Sequence, residues 1–355
     1  MVTAEASPFA KTGGLGDVLG ALPQALAERG EDVAVVLPRY RTASIPTSER
    51  IWRSMALSVG PHTFIAAIDL VVSRDVRYYF VDCPPLYDRA GYYGEGGLDY
   101  QDNHIRFGAL NQAALGIARH IFKTDVFHAH DWQAGLLAPY LSLLSGDPTF
   151  FDTKTVLTIH NLGYQGRFPE SSLIDLGLPR SMFHMDGLEF FGDVSLLKAG
   201  IVWSDAVTTV SQTYAKEIQT LEYGFGFDGL LRSRAYKLTG ILNGVDYGEW
   251  DPRHDPYIAD AYWIDSLQGK IKCKLALLEE LNIAGDDRRP LIGIVSRFAA
   301  QKGFDLFVEI AAELSEENVA FAVLGSGEAK IEDTFRQFAA ALPEQFGVRI
   351  GYDNG

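Results

Sequence analysis

Three observations predict an α/β protein with a parallel sheet. Short apolar runs alternate with helical patterns along the chain. Most of those runs are apolar on both faces, as strands covered by helices are. The chain has 355 residues, 47% of them hydrophobic, enough to bury a sizeable core in two domains.

In chain order, the strand candidates are residues 33–38 (VAVVLP), 126–130 (VFHAH), 155–160 (TVLTIH), 206–210 (AVTTV), 238–243 (LTGILN), 291–296 (LIGIVS) and 321–326 (FAVLGS). A helical pattern follows the glycines at 13–16, with Pro23 inside it obscuring where it starts. After Gly303, one apolar stripe runs through Phe304, Phe307, Ile310, Ala311 and Leu314, and another through Ile331, Phe335, Phe338, Ala339 and Leu342. The polar stretch 246–287, with turn signals DPRHDP and AGDD, reads as a connection between residues 1–245 and 288–355. The last part holds three strand candidates and two helices, few for a doubly wound domain, and it stops at VRIGYDNG with no covering helix. The expectation is a second domain that is incomplete in this chain.

The formal net charge of −15 argues against nucleic-acid or anionic-membrane binding, so an anionic ligand needs a local basic pocket. Cys83 and Cys273 lack metal or redox spacing, which fits a reducing compartment. No apolar run reaches membrane-spanning length, and the first residues lack a signal pattern. A cytoplasmic protein is expected.

The residues that carry chemistry sit at strand ends, where ligands of open parallel sheets gather. In FAKTGGLGD, Gly13, Gly14 and Gly16 permit close backbone approach at a helix N-terminus, and Lys11 adds a point charge. Phosphate binding and a plain tight corner both fit. A dinucleotide fingerprint does not, because the next strand ends in Pro38-Arg39 rather than in an acid. In HAHDW, His128 and His130 share a strand face beside Asp131, which leaves three readings. These are a metal-dependent hydrolase, buried structural histidines, and a sugar site where Asp131 accepts hydroxyls and Trp132 offers an apolar face. TIHNLGYQG places His160 and Asn161 at another strand end. SRFAAQKG sets Arg297 and Lys302 between a strand and a helix, as a diphosphate clamp would, or as a solvated loop. LGSGE, with Gly325, suits close approach of a nucleoside.

Taken together, KTGGLGDVLGALP, HAHDWQAGLLAPYL, TIHNLGYQG, SLLKAGIVWSDAVTTVS, LNGVD and SRFAAQKGFDL closely resemble the bacterial glycogen synthase and plant starch synthase family, in order along essentially the whole chain. The resemblance implies a GT-B architecture, with two Rossmann-like domains facing a cleft, and no metal or redox cofactor. It implies transfer of glucose from ADP-glucose to the nonreducing end of an α-1,4-glucan (glycogen or maltooligosaccharide), with retention. It places Lys11, Gly13 and Gly14 in the donor site, His160 near the transferred sugar with Asp131 and Asn161 in support, and Asn243 near the same glucose. Arg297 and Lys302 would neutralise the diphosphate, while Glu5 and Asp17 match positions near the cleft. Residues 86–107 resemble an acceptor-side loop in which Tyr92, Tyr93 and Tyr100 either stack on sugars or pack the loop. The family continues past Tyr352 with an acidic, glycine-containing loop, so little or no turnover is expected of the chain as written. A non-catalytic glucan-binding relative is the remaining alternative, and the three cations argue against it, since a neutral glucan needs none.

Overall fold

The computed structural model describes residues 1–351 and 353, and it divides into one unit of Met1–Val245 and a second from Asp246 onward. Tyr352, Asn354 and Gly355 of the expected terminal turn lie outside the described residues.

The first unit is organised by parallel strands Ala34–Pro38, Val126–His130, Lys154–Ile159, Ala206–Thr209 and Leu238–Gly240. Val2 forms parallel bridges to both Val36 and Ala129, so one residue joins the two halves of the sheet. Ala34–Pro38, Val126–His130 and Lys154–Ile159 are largely apolar on both sides because both faces are covered. Leu157, Ile159 and Val207 pack with Phe107, Leu110 and Ala113 of the helix Asn103–His120, and with Leu196 and Leu197 of the helix Leu196–Trp203. On a separate face, Leu19 of the helix Gly14–Ala27 joins Phe9, Val35, Leu37, Tyr78 and Phe80. That helix runs through Pro23, which is buried within it.

The parallel-sheet expectation needs one correction. An antiparallel meander, Glu49–Val59, His62–Ser73 and Val76–Asp82, extends the sheet beside Ala34–Pro38. Its second turn uses Arg74 and Asp75 at φ +48° and +62°, a left-handed pair without the glycine or asparagine that marks such turns in sequence. The first meander strand is largely exposed on one face, so its apolar residues do not form a run. Another strand candidate shortens: only Leu238–Gly240 of 238–243 pairs, and residues 241–245 are exposed.

In the second unit, Leu291–Val295, Ala320–Gly325 and Phe346–Ile350 form a parallel three-stranded sheet in sequence order. Its core is aromatic: Phe298, Phe304, Phe321, Phe335 and Phe346 are buried, with Phe307 and Phe338 packed against them. The second predicted stripe lies wholly in this cluster, whereas Ile310 of the first is exposed. The stretch 246–287 is more than a connection. It contains the helix Gln268–Glu280, and Leu278 and Ile283 bury against Ala320 and Ala322.

Candidate active site

Because the first unit's central strands run parallel, the loops that leave their carboxyl ends lie along one edge of the sheet. Beyond Val2, Glu5 is buried, and its carboxylate accepts hydrogen bonds from the Thr12 N–H, the Thr12 hydroxyl (2.6 Å) and the Tyr93 hydroxyl. One side chain therefore ties the lysine–glycine loop to the 86–107 segment. Lys11 Nζ lies 2.6 Å from Asp17 Oδ1. The three glycines then separate by purpose. At Gly16 a Cβ would meet Lys11 Cγ at 2.9 Å, so packing requires glycine there. At Gly13 and Gly14 a Cβ would meet nothing within 4 Å, and neither φ is left-handed. Neither packing nor backbone conformation calls for glycine at those two positions. The bare backbone at the start of a 14-residue helix leaves room for something outside the chain.

Asp131 follows the Val126–His130 strand at φ +57° and is buried. Its Oδ1 accepts from the His160 N–H at 2.7 Å and the Asn161 N–H at 3.4 Å, which fixes the next strand's end loop. Burial pushes the carboxyl up to about 7 against the pull of those two amides. His130 is fully buried, with Nδ1 3.0 Å from His160 Nε2. His128 stacks on His130 with centroids 4.1 Å apart, and its Nε2 lies 2.6 Å from the Thr158 hydroxyl. Burial drives all three imidazoles down, His128 to about 3, His160 to about 4 and His130 well below its ordinary value. They are neutral rings in a row. Among the described residues no group of three His, Cys, Asp or Glu side chains converges as a ligand set, so the metal-hydrolase reading loses its geometry. The structural reading of His128 and His130 accounts for what is seen.

Trp132 corrects another expectation. It is buried, with one face against Gly166, where a Cβ would come within 2.5 Å of the ring, and its edge against Phe107 at 5.0 Å. Its apolar surface serves the core instead of a sugar. The aromatics of 86–107 are likewise engaged by other side chains of the first unit. Tyr92 stacks on Tyr40 at 4.3 Å, Tyr93 bonds Glu5, and the Arg89 and Arg106 guanidiniums lie over Tyr100 at 4.8 and 4.9 Å. Asn243 falls in the exposed run after Leu238–Gly240, at the same sheet edge.

Sequence reasoning missed the buried residues that support these loops. Arg106 is fully buried and donates to the Leu86 and Tyr92 carbonyls. Buried Lys198 donates to Met185 O at 2.6 Å and to Glu189 O. The Tyr214 hydroxyl accepts from the Leu162 N–H at 3.0 Å, just beyond Asn161. A single cation inside an apolar helical run, as in IRFGAL and SLLKAG, is the signal that would have found the first two.

In the second unit, Arg297 leaves the Leu291–Val295 strand and Lys302 closes a short 3₁₀ turn before the helix Phe304–Glu316. Both are exposed, and among the described residues neither forms an ion pair. Gly325 is explained by packing, since a Cβ there would meet Ser296 O at 2.0 Å and the Phe298 ring at 2.6 Å.

Comparison with known proteins extends this picture. The starch synthase catalytic domain family matches residues 1–233. The glycogen synthase of Koribacter versatilis is 44% identical over 352 residues, which is 99% of this chain and 72% of that protein. That of Myxococcus xanthus is 43% identical, covering all of this chain and 75% of its own length. Among solved structures, the catalytic domain of starch synthase IV from Arabidopsis thaliana, bound to ADP and acarbose, superposes with a TM-score of 0.89 at 31% identity, over 99% of this chain and 74% of that one. Sucrose-phosphate synthase from Thermosynechococcus elongatus shares the fold alone, at a TM-score of 0.57 and 13% identity, over 99% of this chain and 69% of that one. Two parallel α/β units bearing these strand-end loops, matched along nearly the whole chain, make it a member of the starch synthase catalytic domain family, the GT-B glycosyltransferases that include the bacterial glycogen synthases and plant starch synthases.

Proposed function

We propose that the site is built for transfer of glucose from ADP-glucose to the nonreducing end of an α-1,4-glucan, with retention, little or no turnover being expected of the chain as written. The observation that carries this reading is the first unit's strand-end edge, where bare Gly13–Gly14 backbone beside Lys11 shares one sheet edge with the Asp131–His160–Asn161 group. In a chain of net charge −15, an anionic donor needs local cations; each within its own unit, Lys11 of the first and Arg297 and Lys302 of the second are the candidates. As the glucosyl C–O bond to the diphosphate breaks, negative charge grows on the leaving oxygen, and such cations stabilise it more in the transition state than before. The acceptor hydroxyl forms the new C–O bond on the same face and gives its proton to the departing phosphate oxygen. Asp131 is poorly suited to act as a nucleophile, because Oδ1 is committed to loop amides and burial, raising the carboxyl to about 7, leaves only part of it ionised near neutrality. Its role is to hold His160 and Asn161 in place. Asn161 and Asn243 are assigned to glucose hydroxyls, and Glu5 and Asp17 to ordering the loop that carries Lys11. Tyr93 of the first unit and Gly325 of the second are assigned no reacting role.

The test is ADP release by this chain given glycogen, with ADP-glucose and UDP-glucose in parallel, alongside calorimetry of ADP and maltooligosaccharide. Glucan-dependent release from ADP-glucose supports the reading. Failure to bind either nucleotide sugar or ADP overturns it, and glucan binding without nucleotide binding would favour the non-catalytic relative.

A further inference from the structure

We infer that His130 is a positioning residue that decides which ring nitrogen of His160 carries the proton, making His160 a hydrogen-bond donor from Nδ1. The bond between His130 Nδ1 and His160 Nε2 spans 3.0 Å and joins two rings that burial keeps neutral. A neutral imidazole has one N–H and one lone pair, so this bond admits two arrangements. In one, His160 donates from Nε2, and the single proton of His130 must then sit on its own Nε2. That atom is buried and has no partner among the described residues. A buried N–H with no acceptor is the costlier kind of orphan. In the other, His130 donates from Nδ1, and only a bare lone pair is left at the buried Nε2. The second arrangement wins, and it obliges His160 to keep its proton on Nδ1.

The rest of the row enforces the geometry. His128 stacks on His130 at 4.1 Å, and its Nε2 is held by the Thr158 hydroxyl, itself 2.6 Å from the Thr208 hydroxyl. The His160 backbone is fixed independently by Asp131. His160 Nδ1 has no partner among the described residues and is not a buried orphan, so its N–H is free for a ligand. A donor at that position suits a sugar hydroxyl or ring oxygen and cannot serve as a general base. The assignment of a sugar as the ligand rests on the function proposed above, whereas the tautomer does not.

The experiment is long-range ¹H–¹⁵N correlation NMR of the imidazoles in the 355-residue chain, labelled at the histidine rings, near neutral pH. The expected result is His130 and His160 both in the Nδ1–H form, the one that free histidine disfavours. His160 in the common Nε2–H form overturns the inference without any variant. In His130→Phe, which removes both nitrogens and keeps the ring volume, the His160 Nε2 resonance is expected to move to that of a lone pair accepting no hydrogen bond, and an unchanged Nε2 shift would remove His130 from this role. If that variant fails to fold, the unsubstituted spectrum decides alone. A chain that shows the Nδ1–H pair but neither binds nor transfers glucose would sink the function and leave the tautomer assignment standing.

Discussion

At the first unit's strand ends charged and polar side chains are largely paired within the protein, whereas at the second unit's strand ends the backbone is bonded but, among the described residues, two cations are not paired. Around Glu5, Asp131 and the histidine row, the carboxylates and three imidazoles each have an internal partner, and most of these side chains are buried. Arg297 and Lys302 stand exposed and without ion pairs among the described residues. The contrast separates two ways of making a site. One holds backbone and neutral rings in a fixed arrangement before a ligand arrives. The other presents unneutralised charge that only an anion completes.

The largest effect should come from removing that charge. Arg297→Ala or Lys302→Ala is expected to weaken ADP binding by about 10–100-fold, as loss of a charge-assisted contact does, while the unfolding temperature stays put because neither side chain forms an ion pair among the described residues. A coupled fall in thermal stability would break the comparison. Next comes Glu5→Leu in the first unit, where three donors lose one acceptor. Thr12 is exposed and its two donors can turn to water, so roughly 1–3 kcal/mol for the Tyr93 hydroxyl left unpaired should appear as a drop in urea stability, with Tyr93 released from Glu5. An unchanged midpoint would mean that the clamp is ornamental.

A pH series sharpens the contrast further. His128 and His160 are depressed from 6.5 to about 3 and about 4, so the stability linked to them is present above 6.5 and is lost as pH falls toward 4. Asp131, raised from 3.8 to about 7, works the other way, with its contribution complete below 3.8 and lost as pH rises through about 7. With three neutral histidines against one carboxyl, amide protection in 126–130 and 154–159 is expected to decline between pH 6.5 and 4. Protection that holds constant over that interval would show that the row is not buried in solution. The smallest effect is expected from Gly13→Ala, within about 0.5 kcal/mol of unsubstituted stability, since the new methyl meets nothing within 4 Å. Its mark should be weaker ADP-glucose binding by calorimetry. Equal affinity would assign the open space at Gly13 to solvent.

The fold was legible wherever burial on both faces made a strand a continuous apolar run, as at 34–38, 126–130 and 154–159. It was illegible in the meander, where one exposed face broke the runs and Arg74–Asp75 turned without glycine. Position 310 failed for a related reason: a helical stripe marks a face, and Ile310 sits at that face's margin, 47% exposed. The glycines show the same division. Sequence alone cannot tell Gly16 and Gly325, required by packing, from Gly13 and Gly14, which nothing in the fold requires.

By itself the sequence determined which chemical groups stand at the ends of parallel strands, because strand ends are read from local periodicity and turn chemistry. That placed Lys11, Asp131, His160, Arg297 and Lys302 before any coordinates. Only the tertiary structure decided what those groups are free to do. His130 meets His160 across thirty residues, Glu5 meets Tyr93 across eighty-eight, and Trp132 turns inward onto Gly166. Protonation state, tautomer and exposure depend on neighbours brought together by folding, and no local pattern encodes them.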